Sequence, residues 1–597
     1  AATLYYTRND EQGTRLVGNL FAELSFLGNF TFRSSFGLDQ ARTEFKSYQP
    51  EFAVSAAQRN DIDQVNVSNT RSGSWLWENT LTYNYVSAPH RFTGLAGITA
   101  QENYGEEVGC SRTNLPSEDE ELWYCSAGDA AAQTNFNRPL ADWSMLSYLF
   151  RGNYAYKDRY LLTASLRIDG SSRFGPDNRY ATFPSFALGW VMSEEPFLQN
   201  QAFISALKLR ASWGKIGNDK IGNYPAVTLV TGNLNAVFGE EYLLQYGATT
   251  RDLANPLVQW EETSQTDIGA DMAFFDGKLD ATLDYYRRTT DGILVQVPIP
   301  LYVGVNSEPF VNAAKVLNSG FESTLTWSDT WGGLGYELGF NGSTINNEVK
   351  ELGQGREEIL GGGLGALGNV TRTVVGQPIG CFWGFKVAGV FQSEDELNTL
   401  PTRGSEGGPG DLRFVDLNGD GTITDQDDKT FIGCPIPDFV YGFNARVNVG
   451  GFDFSAFFSG QTGNKVYNGK KAFRFGYDNF EESFLERWNG PGTSNSEPRL
   501  TTAGHNYVSS ERFIEDGSFL KLQSAQIGYR LPPGLTSSLR LAEARIYVTG
   551  TNLFMSTDYT GYTPEIVTGD VINTGIDRLS GVYPPGRTFT LGMDVTF

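Results

Sequence analysis

The sequence predicts an all-β protein, specifically a transmembrane antiparallel β-barrel, on three observations: its composition, the absence of long apolar runs, and a period-two alternation of side chains. Gly occurs 68 times in 597 residues, and 40% of the residues are hydrophobic. This composition is too apolar for a disordered acidic chain, and Ala, Leu and Lys are not abundant enough to form long amphipathic helices. No apolar run approaches the roughly 18 residues of a membrane-spanning helix. Because no break in composition divides the chain, we expect residues 1–597 to form one barrel with long extracellular loops.

The alternation is clearest between residues 160 and 169. One face carries Tyr160, Leu162, Ala164, Leu166 and Ile168, and the other carries Thr163, Ser165, Arg167 and Asp169. Such a strand has one oily and one wet face. The pattern recurs at residues 279–286 and 542–549, with short turns on one side of the strands and long polar loops on the other. This asymmetry is typical of outer-membrane barrels, in which lipid contacts the oily face and water fills the lumen.

Counting these segments predicts about eighteen strands. They begin near residues 15–26 and 28–46 and end at 586–597, where Phe597 is the last residue of the sequence. Aromatic residues at strand ends, such as Tyr160 and Tyr285, are expected to form interfacial girdles. The alternation slips by one residue in the strand near position 520, which predicts a β-bulge near Gln523 and Ser524.

The charge balance and the histidine count exclude several function classes. The chain has 46 basic and 69 acidic residues, a net charge of −23, whereas nucleic-acid binding requires clustered Lys and Arg. With His90 and His505 as its two histidines, it has almost no material for a catalytic triad or a multi-histidine metal site. We therefore expect no nucleic-acid partner and no catalytic residues, and predict that the protein is not an enzyme.

Four cysteines, Cys110, Cys125, Cys381 and Cys434, are candidates for disulfides. Three pairings are possible, and sequence spacing favours only the pairing of Cys110 with Cys125. A bridge from Cys381 to Cys434 would enclose the loop described next. An even count in a chain poor in cysteine is compatible with an oxidising compartment, and four free thiols remain the alternative.

A calcium-loop-like insertion is predicted at residues 411–433. Its candidate ligands are Asp416, Asn418, Asp420, Thr422, Thr424 and Asp427, which occupy positions 1, 3, 5, 7, 9 and 12 of a calcium loop. Gly421 at position 6 permits the sharp turn, and the spacing wraps oxygen donors around one point. The final ligand is Asp and not the usual Glu. We expect a structural Ca²⁺; the alternative is an ordinary turn whose carboxylates are solvated.

Several segments resemble the SusC/RagA-type TonB-dependent transporters of the Bacteroidota outer membrane. The most specific is the string from Arg159 to Arg179, which contains Asp169-Gly-Ser-Ser-Arg-Phe-Gly175. Further matches are the segments Phe183–Trp190, Ser193–Glu195, Leu207–Gly214, Trp260–Glu262, Asp284–Tyr286, Asn318–Glu322, Gly376–Gly380, Phe382–Phe385 and Asn552–Phe554. The matches occur in order along nearly the whole chain.

The resemblance implies a bacterial outer-membrane protein with a 22-stranded barrel, an N-terminal plug, a TonB box and a SusD-type surface lipoprotein as a lid. We find neither plug nor TonB box, and eighteen strands are four fewer than 22. We therefore expect this chain to be the C-terminal part of a longer transporter, which would engage TonB through an N-terminal region outside this sequence. The alternative is a protein that is made as two polypeptides or cut at a loop.

The function that the resemblance implies is import of large nutrients, oligosaccharides or peptides, through the barrel. One alternative is a structural barrel that serves as a scaffold in a larger envelope complex. Another is a soluble β-rich protein whose oily strand faces pack against one another. The sequence identifies no substrate-binding residue.

Overall fold

The computed structural model describes most of the chain. Its description covers residues 1–597 except 1, 57, 133, 141, 200, 202, 229, 233, 240–242, 251–252, 297–309, 354, 405–406, 473–481, 502–503, 567–569 and 579–582. No helix within these described ranges is both long and apolar enough to cross a bilayer.

In the described part of the chain, nineteen strands belong to one large sheet, and the pairings resolved along it are antiparallel. Their bounds are Arg8–Phe26, Phe30–Gln49, Gln64–Ser87, His90–Thr113, Thr134–Pro139, Trp143–Tyr156, Tyr160–Ser171, Tyr180–Val191, Ile204–Asn218, Glu261–Phe274, Leu279–Gln296, Phe310–Trp331, Leu334–Thr344, Asn346–Glu351, Phe439–Val449, Phe452–Thr462, Phe519–Arg530, Glu543–Thr557 and Thr588–Thr596. The predicted all-β antiparallel fold is confirmed, and the predicted number of about eighteen strands is close to the observed one.

The described residues also form shorter strands and three short α-helices outside this sheet. The short strands are Phe52–Ser55, Gln58–Asn60, Val230–Thr231, Ala236–Phe238, Leu243–Gln245, Thr249–Thr250, Glu358–Gly361, Thr371–Val374, Cys381–Phe385, Val387–Val390, Leu412–Phe414, Lys429–Gly433, Lys465–Asn468, Ile514–Asp516 and Ile576–Asp577. The helices are Ala2–Tyr6, Glu394–Thr399 and Pro533–Ser538.

The chain divides into two compact units. The first unit comprises Ala1–Leu188, Trp213–Thr263 and Gly292–Asn312, and the second comprises Gly189–Ser212, Ser264–Asp291 and Ala313–Phe597. We describe each unit separately below.

In the first unit, large apolar side chains stand exposed on one face of the sheet. Leu20, Phe36 and Trp77 lie side by side across three paired strands and are 79%, 43% and 49% exposed. In water this row would be an aggregation hazard. Its regular alternation with polar residues matches a surface in contact with hydrocarbon.

The second unit carries an equivalent row of exposed apolar residues. Phe454, Ile527, Val548 and Leu591 are aligned across four paired strands, and all four side chains are exposed. The opposite face is polar: Arg545 makes a two-pronged ion pair with Asp453, at 2.8 and 2.6 Å, and also contacts Asp594 at 3.0 Å. One face thus suits lipid and the other suits water.

The predicted β-bulge is confirmed. The register between Phe519–Arg530 and each of its two neighbouring strands shifts between Leu522 and Ser524. The extra residue, Gln523, explains why the oily positions change from even to odd numbers in this strand.

Buried cores occur in the connections as well as in the sheet. In the second unit, the described parts of residues 352–438, 463–518 and 558–587 pack together, and we call them the loop module. All three segments leave the sheet at the end opposite the short turns at Gly332-Gly333 and Gly450-Gly451. The loop module therefore extends the sheet at the long-loop end.

Candidate functional site in the long loops

The loop module has a first apolar core drawn from all three of its segments. The core consists of Leu364, Val370, Phe382, Ile432, Tyr467, Ala472, Phe513 and Ile576. The ring of Tyr467 lies 5.6 Å from the rings of both Phe382 and Phe513, measured between centroids. Burying a side chain of this size contributes about 1.5–3 kcal/mol. Such a core holds three distant parts of the sequence in one arrangement.

A second core lies under the predicted calcium loop. It contains Phe385, Val390, Leu412, Phe414 and Ile423. Ile423 belongs to the calcium-like loop, and its backbone N–H donates to the carbonyl of Thr402 at 3.0 Å. The calcium-like loop is therefore anchored in the core through one of its own residues.

Two lysines of segment 463–518 make buried ion pairs, and one of these pairs joins this segment to segment 558–587. Lys470 Nζ lies 3.1 Å from Asp577 Oδ2, and these side chains are only 6% and 0% exposed. The hydroxyl of Tyr559 donates to the same carboxylate oxygen. Charges this deeply buried must be paired. The pair therefore holds the segment that contains Lys470 against the segment that contains Asp577.

The neighbouring pair joins Lys471 to Glu515, with Nζ 2.9 Å from Oε1. Burial by itself raises the pKa of Glu515, but the charge of Lys471 and hydrogen bonds from Lys471, the Thr560 backbone and Asn468 outweigh it, so the pKa lies below its usual value. The next residue, Asp516, is also partly desolvated, yet hydrogen bonds from Lys465 and Ser518 lower its pKa to about 2. Both carboxylates are thus ionised at neutral pH.

Both cysteine pairs are disulfides in the structure. Cys381 is bonded to Cys434 within the loop module, and Cys110 is bonded to Cys125 in the first unit. The latter ties the segment containing Trp123, which stacks on Tyr48 with ring centroids 4.9 Å apart. Each bridge therefore closes a loop onto packed aromatic side chains.

The calcium-like loop is held by its own carboxylates. Asp416 accepts hydrogen bonds from the backbone N–H groups of Gly419 and Gly421, at 2.7 and 2.8 Å. Asp420 accepts from the Thr422 backbone at 2.8 Å and from the Asn418 side chain, and these bonds lower its pKa. The first half of the loop is therefore a turn closed by its own side chains.

The second half depends on a residue that the spacing did not identify. Asp428 is fully buried and accepts from the backbones of Leu417 and Thr424, at 2.8 and 2.7 Å, and so closes the loop. The predicted ligand Asp427 accepts from the Thr424 hydroxyl at 3.1 Å. The adjacent Asp-Asp pair was visible in the sequence, but nothing there indicated which carboxylate is buried.

Within the described ranges, no three side chains of His, Cys, Asp or Glu gather closely enough to hold a metal ion. The three aspartates of the proposed set, Asp416, Asp420 and Asp427, are of those types and do not form such a group, whereas Asn418, Thr422 and Thr424 are of other types. The calcium assignment therefore stays a prediction.

The polar strand face of the second unit holds a charge cluster. Arg210 contacts three aspartates, with its nitrogens 3.3 Å from Asp267, 3.2 Å from Asp271 and 2.7 Å from Asp284. A Cβ at position 269 would overlap the carboxylate of Asp284, so a larger residue there would displace the ion pair. Asp284 belongs to the alternating segment 279–286, but its cationic partner, Arg210, lies 74 residues away and could not be identified from the sequence.

In the first unit, the family-specific string from Arg159 to Arg179 contributes two residues, Arg173 and Phe174, to a largely buried cluster. The guanidinium of Arg173 lies 3.0 Å from Asp219 and 4.6 Å from the Trp143 ring, while Phe174 stacks on Trp260. Both members of the ion pair are 12% exposed. The side chains of this string therefore pack against residues from distant parts of the sequence and hold them together.

Strands with one hydrocarbon-compatible face and one ion-paired face, with short turns at one end and packed loops at the other, define a transmembrane β-barrel protein. Residues 1–553 match the family model described as TonB dependent receptor-like, beta-barrel. The chain belongs to this family of outer-membrane proteins.

Two curated relatives illustrate the match. The chain is 30% identical over 590 residues to TonB-dependent receptor P3 of Formosa agariphila, covering 97% of this chain and 58% of that protein. It is 31% identical over 472 residues to TonB-dependent receptor SusC of Bacteroides thetaiotaomicron, covering 76% of this chain and 44% of the relative. The chain thus spans less than two thirds of the length of these relatives.

Among solved structures, the RagAB peptide transporter matches with a TM-score of 0.84 at 23% sequence identity, covering 99% of this chain and 63% of that one. At this identity the match supports the fold. Together the comparisons confirm the resemblance to the SusC/RagA type and the predicted outer-membrane location.

Proposed function

We propose that this chain forms the wall of a TonB-dependent importer that carries oligosaccharides or peptides across the outer membrane with a SusD-like lipoprotein lid. The observation that carries this proposal is a match to a TonB-dependent receptor that covers 97% of the chain. The activity that we propose is transport and not catalysis. This agrees with the family to which the chain belongs, which is described as receptor-like.

The two faces of the sheet support this function. A row such as Phe454, Ile527 and Val548 is suited to lipid, whereas the ion pairs of Arg545 and Arg210 are suited to a hydrated lumen. A large polar nutrient can pass such a wall without entering hydrocarbon.

The loop module supports the proposed lid. The cores around Phe382 and Phe385, the buried ion pairs and the Cys381–Cys434 bridge make a preformed surface at the long-loop end of the strands. A preformed surface loses less conformational entropy when a second protein binds to it.

Uptake in the source bacterium tests the import proposal. Fluorescein-labelled oligosaccharides and a labelled tryptic peptide mixture are offered to wild-type cells, to cells lacking this gene and to wild-type cells treated with a proton uncoupler. We expect accumulation of one probe class to fall in both the deleted and the uncoupled cells. Equal uptake in all three would exclude import, and envelope defects without an uptake defect would favour the scaffold alternative.

Affinity purification tests the proposed lid. A tag on the full-length protein, followed by mild detergent extraction, is expected to recover one surface lipoprotein in near-equal amount. The matched control is an unrelated outer-membrane barrel that carries the same tag. Recovery of the same lipoprotein with both barrels, or with neither, would contradict the proposal.

We also propose that the calcium-like loop binds one structural Ca²⁺ through Asp416, Asn418, Asp420, Thr422, Thr424 and Asp427. The wrapped carboxylates of its first half and the lowered pKa of Asp420 support a site that is ionised before the cation arrives. The chelation experiment in the Discussion tests this proposal.

A further inference from the structure

The lipid-facing surface of the first unit contains a groove of about 580 Å³. Its floor is made of Gly94, Gly152 and Ala164, which are paired directly across three neighbouring strands. Three small residues in one row leave a channel between the larger side chains of neighbouring positions on this face.

Apolar side chains form the walls of the groove. They are Phe30, Leu81, Tyr83, Phe150, Leu166 and Phe186. The ring of Phe92 bounds the floor toward the short turns, because a Cβ at Gly94 would lie 3.1 Å from it. The groove is thus open to the membrane and closed toward the sheet.

A cationic turn lies beyond one end of the groove. Lys157 and Asp158, both with positive φ, form the tight turn that follows the strand Trp143–Tyr156. Arg91 is neutralised by Asp158 at 2.8 Å. Lys157 has no carboxylate partner in the described part of the chain, and its amine lies 5.4 Å from the Tyr156 ring. It therefore presents an uncompensated positive charge at the membrane boundary.

The distance between the groove and Lys157 suits a lipid molecule, whose acyl chain lies deeper in the membrane than its headgroup. Gly152 precedes Tyr156 by four residues and Ala164 follows Tyr160 by four, so the floor lies about 13 Å along the strands from the turn. Short turns of outer-membrane barrels face the periplasm. The groove consequently begins inside the hydrocarbon of the periplasmic leaflet, while the amine of Lys157 lies at headgroup level.

We propose that this groove and Lys157 form a binding site for one glycerophospholipid of the periplasmic leaflet. One acyl chain fills the channel over Gly94, Gly152 and Ala164, and the anionic phosphate pairs with the Lys157 amine. A peptide segment would be a poor occupant, because the strands that make the floor already use their backbone groups in the sheet. An acyl chain has no polar groups to satisfy, and the site continues the lipid-facing surface of the barrel.

Native mass spectrometry of the full-length protein tests the site, with phosphatidylglycerol and phosphatidylethanolamine added separately after delipidation. Gly152→Leu fills the channel and should reduce retention of one lipid about tenfold. Ala100→Leu makes the same kind of change on the same oily face but outside the groove, and should retain the lipid. Equal retention by the Gly152→Leu and wild-type proteins would overturn the proposal.

The headgroup contact is tested with Lys157→Gln, which should weaken retention of phosphatidylglycerol about fivefold at low salt. Its control is Lys278→Gln, at another short turn, where the lysine already pairs with Asp329 at 3.0 Å. An unchanged affinity in Lys157→Gln would also overturn the site as proposed. Heat-modifiable migration verifies the fold of every variant, and Ala164→Leu replaces Gly152→Leu should the latter not assemble.

Discussion

The strand wall and the loop module of the second unit are built from the same residue types arranged in opposite ways. In the wall, Phe454 and Ile527 stand 43% and 55% exposed, and the ion pair of Arg446 with Glu337 is open to solvent. In the loop module, Phe382 and Phe513 are fully buried, and the pair of Lys470 with Asp577 is almost completely enclosed. The wall relies on lipid to cover its apolar side chains, whereas the loop module must cover its own.

This difference predicts where single changes are costly. A contact in the wall is shared with lipid or water, so its loss is partly compensated by the surroundings. A contact in the loop module has no such substitute. The following predictions compare the two regions.

The largest contrast is expected for ion pairs. Lys470→Met leaves Asp577 buried without its cation and should destabilise the loop module by about 3–5 kcal/mol. Arg446→Met removes the exposed wall pair and should cost less than about 1 kcal/mol. Hydrogen-exchange mass spectrometry measures the effect of Lys470→Met at segments 463–472 and 571–578, and that of Arg446→Met at the paired strands 334–344 and 439–449. Similar effects of the two variants on their own segments would contradict the distinction.

The two disulfides should differ in the same experiment. Replacing Cys381 and Cys434 by Ser together should cost about 2–4 kcal/mol, since the bridge spans 53 residues. The Cys110–Cys125 bridge spans 15 residues, and its removal should cost about 1 kcal/mol less on chain-entropy grounds. A larger loss from the shorter bridge would show that local packing and not loop length decides the effect.

Acid should loosen the loop module through Asp516. Its pKa in the folded protein is about 2, below its ordinary value of 3.8, so its contribution is present above about pH 4 and is lost as the pH falls through 2. Glu515, with its lowered pKa, has an effect of the same sign. Exchange rates at residues 463–472, corrected for intrinsic chemistry, should rise between pH 4 and pH 2.

Asp516→Asn serves as the control for the acid effect. This variant should be less stable than wild type at pH 7 but should lose less stability between pH 4 and pH 2, because position 516 no longer titrates. An unchanged pH profile in this variant would show that other carboxylates govern the transition.

The smallest effect is expected from chelation. Removing Ca²⁺ should speed proteolysis of residues 400–435 without altering the strand wall, because the proposed cation holds only the calcium-like loop. Asp420→Ala should abolish this response, whereas Asp425→Ala changes a carboxylate outside the proposed ligand set and should preserve it. Identical digestion with and without chelator in the wild-type protein would reject the cation.

The wall was predictable from the sequence because its signal is local. Alternation over ten residues assigns faces, and the slip near Gln523 locates the bulge without knowledge of the fold. The turns and the order of strands follow from the same pattern. The family-specific string around Arg173 was visible as well, although its packing against Trp143 and Asp219 was not.

The loop module was not predictable in the same way, because its contacts join residues that are distant in sequence. Phe382, Tyr467 and Ile576 share a core but lie in three separate segments with no common period. Lys470 and Asp577 are each surrounded by ordinary polar sequence. Likewise, the burial of Asp428 next to Asp427 depends on the fold of the whole loop.

The Cys381–Cys434 bridge has a consequence for nicked protein. A single cut by an external protease between these residues would leave two fragments that remain covalently joined, with Cys381–Phe385 still paired to Lys429–Gly433. The damaged molecule would migrate as one band until a reductant is added. Surface cleavage at this position would therefore leave the two fragments of the loop module attached to each other.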